Sequence, residues 1–290
     1  MRKALILVVH LLFLVTWRLA AAHTLSIAVS VPPLATLARE VGQGSVEAFS
    51  LLRPGDNPVT FAPTPRQMAR LSSTDLYLLV GVPFERAWIA RIRALNPRMQ
   101  LVDVRRGLPL LPLVGHHHDQ PVERETQTLD PHVWTDPIAV IRMAENIRDA
   151  LTRLDPQHTD DYSAGARKVR RAMLALDGEI RERLRGLETR AFLVFHPAWG
   201  YFARRYGLTQ LAIEHEGKQA GAHWMTEVIE KARKAGIRLI LIQPQFDQRL
   251  ARQVARAIGG EVATVDPLDP DYAKQIARLA TLLTTGASPK

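Results

Sequence analysis

The sequence predicts an α/β protein of two similar lobes, each a four-stranded parallel sheet with flanking helices, joined by one long helix. Three observations lead there. Short runs rich in Val, Ile and Leu alternate with amphipathic stretches, as in a parallel sheet covered on both faces. This plan occurs once in each half of the chain. Between the halves, Val169, Met173, Leu176, Ile180, Leu184 and Leu187 recur at steps of three and four, the apolar stripe of a single helix from Asp160 to Leu187.

Candidate strands in the first half are Leu25–Ser30, Val46–Leu52, Asp75–Gly81 and Gln100–Val104, each followed by turn residues and a helical pattern. The clearest helices are Pro32–Val41, Pro65–Leu71 and Phe84–Leu95. The second starts with Thr64 as N-cap, Pro65 at the first helical position and Gln67 completing a capping box. The second half offers strands Ala191–Phe195, Thr209–Glu214, Arg238–Gln243 and Glu261–Val265, with helices near 198–206, 224–235, 247–258 and 270–284. Thr159 is placed to cap the long helix, and Gly165 and Gly178 inside it each cost roughly 1 kcal/mol relative to alanine. One stiff connecting helix allows only a small relative motion of the lobes. These limits give a leader over residues 1–22, a first lobe over 23–158, a linking helix over 159–187 and a second lobe over 188–290. Residues 107–128, with Pro109, Pro112, Pro121 and the run His116-His117-His118-Asp119, break the rhythm and read as a long surface loop.

Arg2 and Lys3 precede the apolar run Ala4 to Val15 and then Ala20-Ala21-Ala22, the three parts of a secretory signal peptide. Cleavage after Ala22 and export to the periplasm are expected. The run is shorter than the about 20 residues of a comfortable membrane span, and Arg18 closes it; an uncleaved anchor is the alternative. The chain has no cysteine, which excludes a lipid-bearing cysteine at the cleavage site, so a freely diffusing monomer without a lipid anchor is expected. The formal charge of +9 loses the contributions of Arg2, Lys3 and Arg18 with the leader. The remaining excess is mostly arginine scattered over helices, without the aromatic-interleaved basic stripe of a nucleic-acid site.

Three polar positions stand where an α/β protein binds ligands, just past the carboxyl ends of strands or at the start of a helix. His132 lies in Asp130-Pro131-His132-Val133-Trp134-Thr135-Asp136-Pro137, ahead of a helix that Asp136 can cap and Pro137 can begin. His196 follows the strand ending at Phe195, and Asp266 the strand ending at Val265, each with proline next. Imidazole with carboxylate is the donor set that zinc favours. Plainer readings stand beside this one: a loop histidine bonded to backbone, a helix cap, and an Asp-Pro turn start. Asp130 and Asp136 suit capping or the orienting of a ligating imidazole, and Trp199, Phe202 and Tyr206 suit packing.

The segments Asp130-Pro131-His132-Val133-Trp134, Phe195-His196-Pro197-Ala198-Trp199-Gly200-Tyr201-Phe202 with Tyr206-Gly207-Leu208, and Val265-Asp266-Pro267-Leu268 resemble the motifs of the zinc and manganese solute-binding proteins of ABC importers. The likeness extends through Asp75-Leu76, Gly81, Glu85 and Trp88, Glu214 to Lys218, and Gln243-Pro244-Gln245-Phe246. It implies two Rossmann-like lobes bridged by one long helix, a single divalent metal in the cleft between them, and a membrane permease as partner. It implies His132, His196 and Asp266 as metal ligands, with His116, His117 and His118 as a secondary, surface-recruiting loop. Histidine at 196, where manganese-preferring relatives tend to carry glutamate, argues for Zn²⁺ over Mn²⁺. The chain departs from the pattern at Pro58-Val59-Thr60-Phe61, where the family has Pro-His-x-Tyr and valine offers no donor. Water, a replacement such as Glu214 or the histidine loop, or a changed ligand would then complete the site.

Two rivals follow from the same residues. Two histidines, an aspartate and an open position also describe a periplasmic zinc metalloenzyme with Glu85 or Glu214 as general base. No His-Glu-x-x-His, no Gly-x-Ser-x-Gly and no cysteine nucleophile support it, and a non-enzyme is expected. A metal-free binding protein or adhesin on the same fold is the other, kept open by Val59.

Overall fold

The computed structural model describes residues 24–113, 128–214 and 221–286. The leader, the run His116–His118 and the expected domain limits at residues 22 and 23 lie outside them. Among the described residues the first sheet is formed by β1 (Leu25–Val29), β2 (Val46–Ser50), β3 (Leu76–Leu79) and β4 (Gln100–Asp103), all parallel, in the order β2-β1-β3-β4. The second repeats it with β5 (Ala191–Val194), β6 (Thr209–Ala212), β7 (Leu239–Ile242) and β8 (Glu261–Thr264) in the order β6-β5-β7-β8. Two four-stranded parallel sheets with flanking helices are therefore the observed architecture.

The helices are α1 (Pro32–Gly42), α2 (Pro65–Leu71), α3 (Pro83–Leu95), α4 (Pro137–Leu154), α5 (Thr159–Arg183), α6 (Gly200–Tyr206), α7 (Ala222–Lys234), α8 (Gln248–Ile258) and α9 (Tyr272–Thr285). The capping box of α2 forms as expected, with the Thr64 side chain accepting from the Gln67 N–H and Gln67 Oε1 accepting from the Thr64 N–H. Asp136 caps α4 by accepting from the Ile138 N–H at 2.8 Å, with Pro137 at the first position. The expected cap of α5 is corrected: Thr159 is already helical, and its hydroxyl donates to the Pro156 carbonyl, because a 3-10 turn at Pro156–His158 brings the chain into the helix earlier. The helix also ends at Arg183, short of Leu187.

The long helix α5 packs on α1 and α4 of the first lobe and on α9 of the second. Its glycines differ in their surroundings. A Cβ on Gly165 would meet the Val41 carbonyl oxygen at 2.3 Å, whereas one on Gly178 would meet nothing within 4 Å. Gly165 thus lets α1 and α5 approach closely, and Gly178 only weakens the helix. We expect Gly178→Ala to stabilise the protein by about 0.5–1 kcal/mol and Gly165→Ala to destabilise it, both read from urea midpoints.

Side-chain alternation divides the second sheet between two cores. Leu193, Phe195, Ile240 and Ile242 face a cluster with α7 and α8, whereas Phe192, Val194 and Leu241 face the larger core shared with the first lobe. The lobes are also tied by hydrogen bonds. The Tyr272 hydroxyl donates to Glu40 Oε2 at 2.7 Å, and the Trp134 indole N–H donates to the Pro267 carbonyl at 2.7 Å. On α5, Asp177 accepts from Arg205 of α6 and from Arg181. Burial pushes the Asp177 carboxyl up, but the hydrogen bonds and charges of Arg205 and Arg181 outweigh it and hold it below the ordinary carboxylate range. A group depressed on folding contributes stability above its unfolded pKa, about 3.9, and loses it as pH falls through the folded value. The stability gap between the wild type and Asp177→Asn should therefore be constant at neutral pH and shrink on acidification below about pH 4, as measured by urea unfolding across pH.

Candidate metal centre in the interlobe cleft

The two sheets turn their carboxyl ends toward a common cleft of about 270 Å³. Its walls come from the segments after β2 (Asn57 to Val59), β3 (Gly81 to Pro83), β5 (His196 and Pro197), β7 (Gln243 to Phe246, without Pro244) and β8 (Pro267 and Leu268), with His132 and Trp134 from the turn before α4. In the order β6-β5-β7-β8 the strand directions of connection diverge between β5 and β7, so His196 and Gln243 stand at the switch point where open α/β sheets bind ligands.

The imidazoles of His132 and His196 meet edge-on, with ring centroids 5.4 Å apart and ring planes at 75°. Each is held from behind by a buried carboxylate. His132 Nδ1 lies 2.7 Å from Asp130 Oδ1, which also accepts from the His132 backbone N–H at 2.9 Å. His196 Nδ1 lies 2.5 Å from Glu214 Oε2. A carboxylate only accepts, so each Nδ1 carries the proton and each Nε2 is left as the group able to donate a lone pair. Phe246 stacks on His196 at 5.2 Å and Trp134 leans on His132 at 5.3 Å, which restricts both rings.

Asp266 follows β8 as expected, and its neighbours Pro267 and Leu268 form cleft wall. Its Oδ1 accepts from the Leu268 N–H at 3.0 Å, an Asx turn, and its Oδ2 has no hydrogen-bond partner among the described residues. Burial pushes the Asp266 carboxyl up, the Leu268 N–H pulls it down and Asp269 adds to the rise. The structure thus brings His132 and His196 together. Among the described residues no group of three His, Asp or Glu side chains closes around one point. Val59 lines the same cleft with half its surface exposed and offers no donor. Glu214, one of the replacements weighed for a missing ligand, is occupied in orienting His196. Glu85, weighed as a base, is buried beneath the cleft wall, where it accepts from Ser30 Oγ and from the N–H groups of Val80 and Gly81 at 2.9 and 2.7 Å; burial pushes its carboxyl up.

Gly200 and Tyr201 stand in the family motif, but their roles were not assigned from the sequence. Gly200 admits Asp130, whose Oδ2 would lie 2.7 Å from a Cβ there. Tyr201 ties the cleft segments by donating to the Asp130 carbonyl at 3.1 Å and accepting from the Leu111 N–H at 3.0 Å. The orienting carboxylates supply a test of the arrangement. Asp130→Asn and Glu214→Gln should each weaken zinc binding about 10–100-fold, as measured by competition with a chromophoric chelator.

Fold and cleft together define a two-lobed α/β binding protein of the metal-capturing kind. The chain matches the family described as zinc-uptake complex component A, periplasmic, over residues 27–286, and it belongs to that family. A solved ZnuA deletion mutant with zinc bound superposes with a TM-score of 0.85 at 31% identity, covering 92% of this chain and 99% of that one. A putative metal-binding protein of Treponema pallidum (strain Nichols) is 27% identical over 256 residues, 86% of this chain and 81% of that protein. The zinc-binding protein AdcA of Streptococcus pyogenes serotype M1 is 24% identical over 239 residues, 77% of this chain and 46% of AdcA, so the chain spans about half the length of that relative. The laminin-binding protein Lmb of Streptococcus agalactiae shares the fold, with a TM-score of 0.79 at 22% identity. Among the described residues no helix is long and apolar enough to cross a membrane.

Proposed function

We propose that this protein captures one divalent transition metal, zinc in preference to manganese, in the interlobe cleft and delivers it to the permease of an ABC importer. The observation that carries the reading is the pair of adjacent imidazoles, each with Nδ1 committed to a carboxylate and Nε2 left for the ion. Such backing fixes the tautomer and raises the basicity of a ligating histidine. His132, His196 and Asp266 are the proposed ligands, with the free Oδ2 of Asp266 as the oxygen donor and a fourth position completed from outside the chain's own side chains. Two nitrogens against one oxygen favour zinc over the harder manganese. The zinc-bound relative of similar fold supports the same ion.

In this reading the protein acts in the periplasm after removal of its leader, as a monomer without a lipid anchor, and carries cargo rather than catalysing a reaction. Glu85 supports that last point, since its carboxyl is spent on Ser30, Val80 and Gly81 beneath the wall. The test is calorimetric titration of chelator-stripped protein with ZnCl₂ and MnCl₂, followed by addition of the loaded and stripped forms to the reconstituted transporter. One zinc per chain, weaker manganese and a higher ATPase rate with the loaded form are expected. Zinc binding without stimulation would remove the delivery step, and no binding of either ion would remove the reading.

A further inference from the structure

We propose that the outer face of α2 and α3, in the first lobe, docks reversibly on an anionic phospholipid surface. The inference goes beyond metal capture and uses none of the proposed ligands; it rests only on the export reading, which brings the chain to a membrane without a lipid-bearing cysteine. The first ground is charge. Between Asn57 and Val102 the chain has six arginines and two carboxylates. Neither carboxylate is free: Asp75 Oδ2 accepts from the Ser26 N–H at 2.8 Å, and Glu85 is buried on Ser30, Val80 and Gly81. Arg70 pairs with Glu47 at 2.6 Å. Arg66, Arg86, Arg91, Arg93 and Arg98 are exposed and have no carboxylate partner among the described residues.

The second ground is the arrangement. At about 100° per residue, Ala87, Ala90 and Ala94 form the crest of α3, with Arg86 and Arg93 along one flank and Arg91 along the other. All six are exposed. Small side chains at the crest let the helix approach a flat surface, while guanidinium forks on both sides reach phosphates. Trp88, half-buried, lies under Arg91, whose guanidinium carbon is 5.0 Å from the ring centroid. Leu95 is 41% exposed at the helix end. Arginine, tryptophan and leucine side by side are the composition of helices that rest at a lipid interface. The neighbouring α2 packs against α3 and adds Arg66.

The other basic helix, α8, is built differently. Arg249, Arg252 and Arg256 line its exposed side, but Asp247 stands at its start as the N-cap and Glu261 just past its end, and Ala251, Val254 and Ile258 turn inward. A lipid surface rather than an acidic protein fits α3, because its charges spread over a convex crest of small residues, a shape that matches a flat, fluid array of phosphates. Arg86 also lines the wall of the interlobe cleft, so this docking brings the cleft beside the bilayer.

The experiment is co-sedimentation of the metal-stripped exported chain with vesicles of phosphatidylcholine alone, and of phosphatidylcholine and phosphatidylglycerol in equal parts, at low and high NaCl. Binding to the phosphatidylglycerol vesicles only, lost as salt screens the charges, is expected. The triple variant Arg91→Gln, Arg93→Gln, Arg98→Gln should weaken it about a hundredfold. The triple variant Arg249→Gln, Arg252→Gln, Arg256→Gln loses the same charge from α8 and should weaken it by less than about threefold. Both sets change exposed side chains, so both variants should melt with the wild type. Equal weakening by the two would reduce the effect to net charge and overturn the docking face. No binding by the unaltered chain would overturn it as well, and would turn this face toward an acidic protein surface. Because the chain is stripped of metal throughout, none of these results bears on zinc capture, which the titration above reads separately.

Discussion

Replacing His132 or His196 by alanine is expected to abolish the zinc-dependent rise in melting temperature of the stripped protein. A ligand present at a thousand times its dissociation constant stabilises the folded state by about 4 kcal/mol. For a protein of this size that corresponds to a rise of roughly 8–16 °C. Each imidazole supplies one of the two nitrogens that face the cleft 5.4 Å apart as ring centroids, so loss of either leaves too few donors for tight binding. Without metal each variant should be less stable than the wild type by about 1–3 kcal/mol, because the buried Asp130 or Glu214 carboxylate loses its imidazole partner, so the zinc-dependent rise is read against each variant's own metal-free melt. A zinc-dependent rise that survived in both variants would place the ion elsewhere.

The second large effect is on the joint between the lobes. Trp134 is 2% exposed, lies in the core shared by both lobes, leans on His132 and donates its indole N–H to Pro267. Trp134→Ala should cost about 3–5 kcal/mol through lost burial and the cavity left behind. Trp134→Phe keeps most of the volume and removes only the donor, so it should cost about 1–3 kcal/mol by leaving the Pro267 carbonyl unpaired. Urea unfolding at unchanged m-value measures both. Because the same indole supports the ring of His132 and the segment that follows Asp266, both variants should also weaken zinc binding. Equal destabilisation by the two substitutions would assign the whole effect to the hydrogen bond.

The arginine of α8 and α5 raises the net charge without forming a patch that the cleft uses. The cleft's own charges are local: Asp130 and Glu214 stand behind the imidazoles, and Arg86 lines the wall. Family membership and cleft chemistry therefore point the same way, although the curated AdcA relative is about twice as long as the aligned region.

Much of this was legible in the sequence because local physics wrote it there. Short apolar runs and period-3.6 stripes marked the eight strands among the described residues and the main helices, and Thr64, Gln67, Asp136 and Pro137 carried side-chain capping signals that need no distant partner. His196 and Asp266 were marked by their place after strand ends and His132 by its place ahead of a helix, each next to a proline, and of the three the structure brings His132 and His196 together. Thr159 shows the limit of that logic, since a 3-10 turn just upstream took over the start of α5.

Only the tertiary structure decided which atoms face the cleft. Glu214 reaches His196 across 18 positions and Trp134 reaches Pro267 across 133, pairings set by sheet order and lobe docking rather than by spacing. The closeness of Gly200 to Asp130 likewise exists only once the lobes meet. A sequence marks where a donor stands along the chain. The direction of its lone pair, and the company it keeps, come from contacts between residues far apart in that chain, because burial and hydrogen-bond satisfaction are properties of the packed whole.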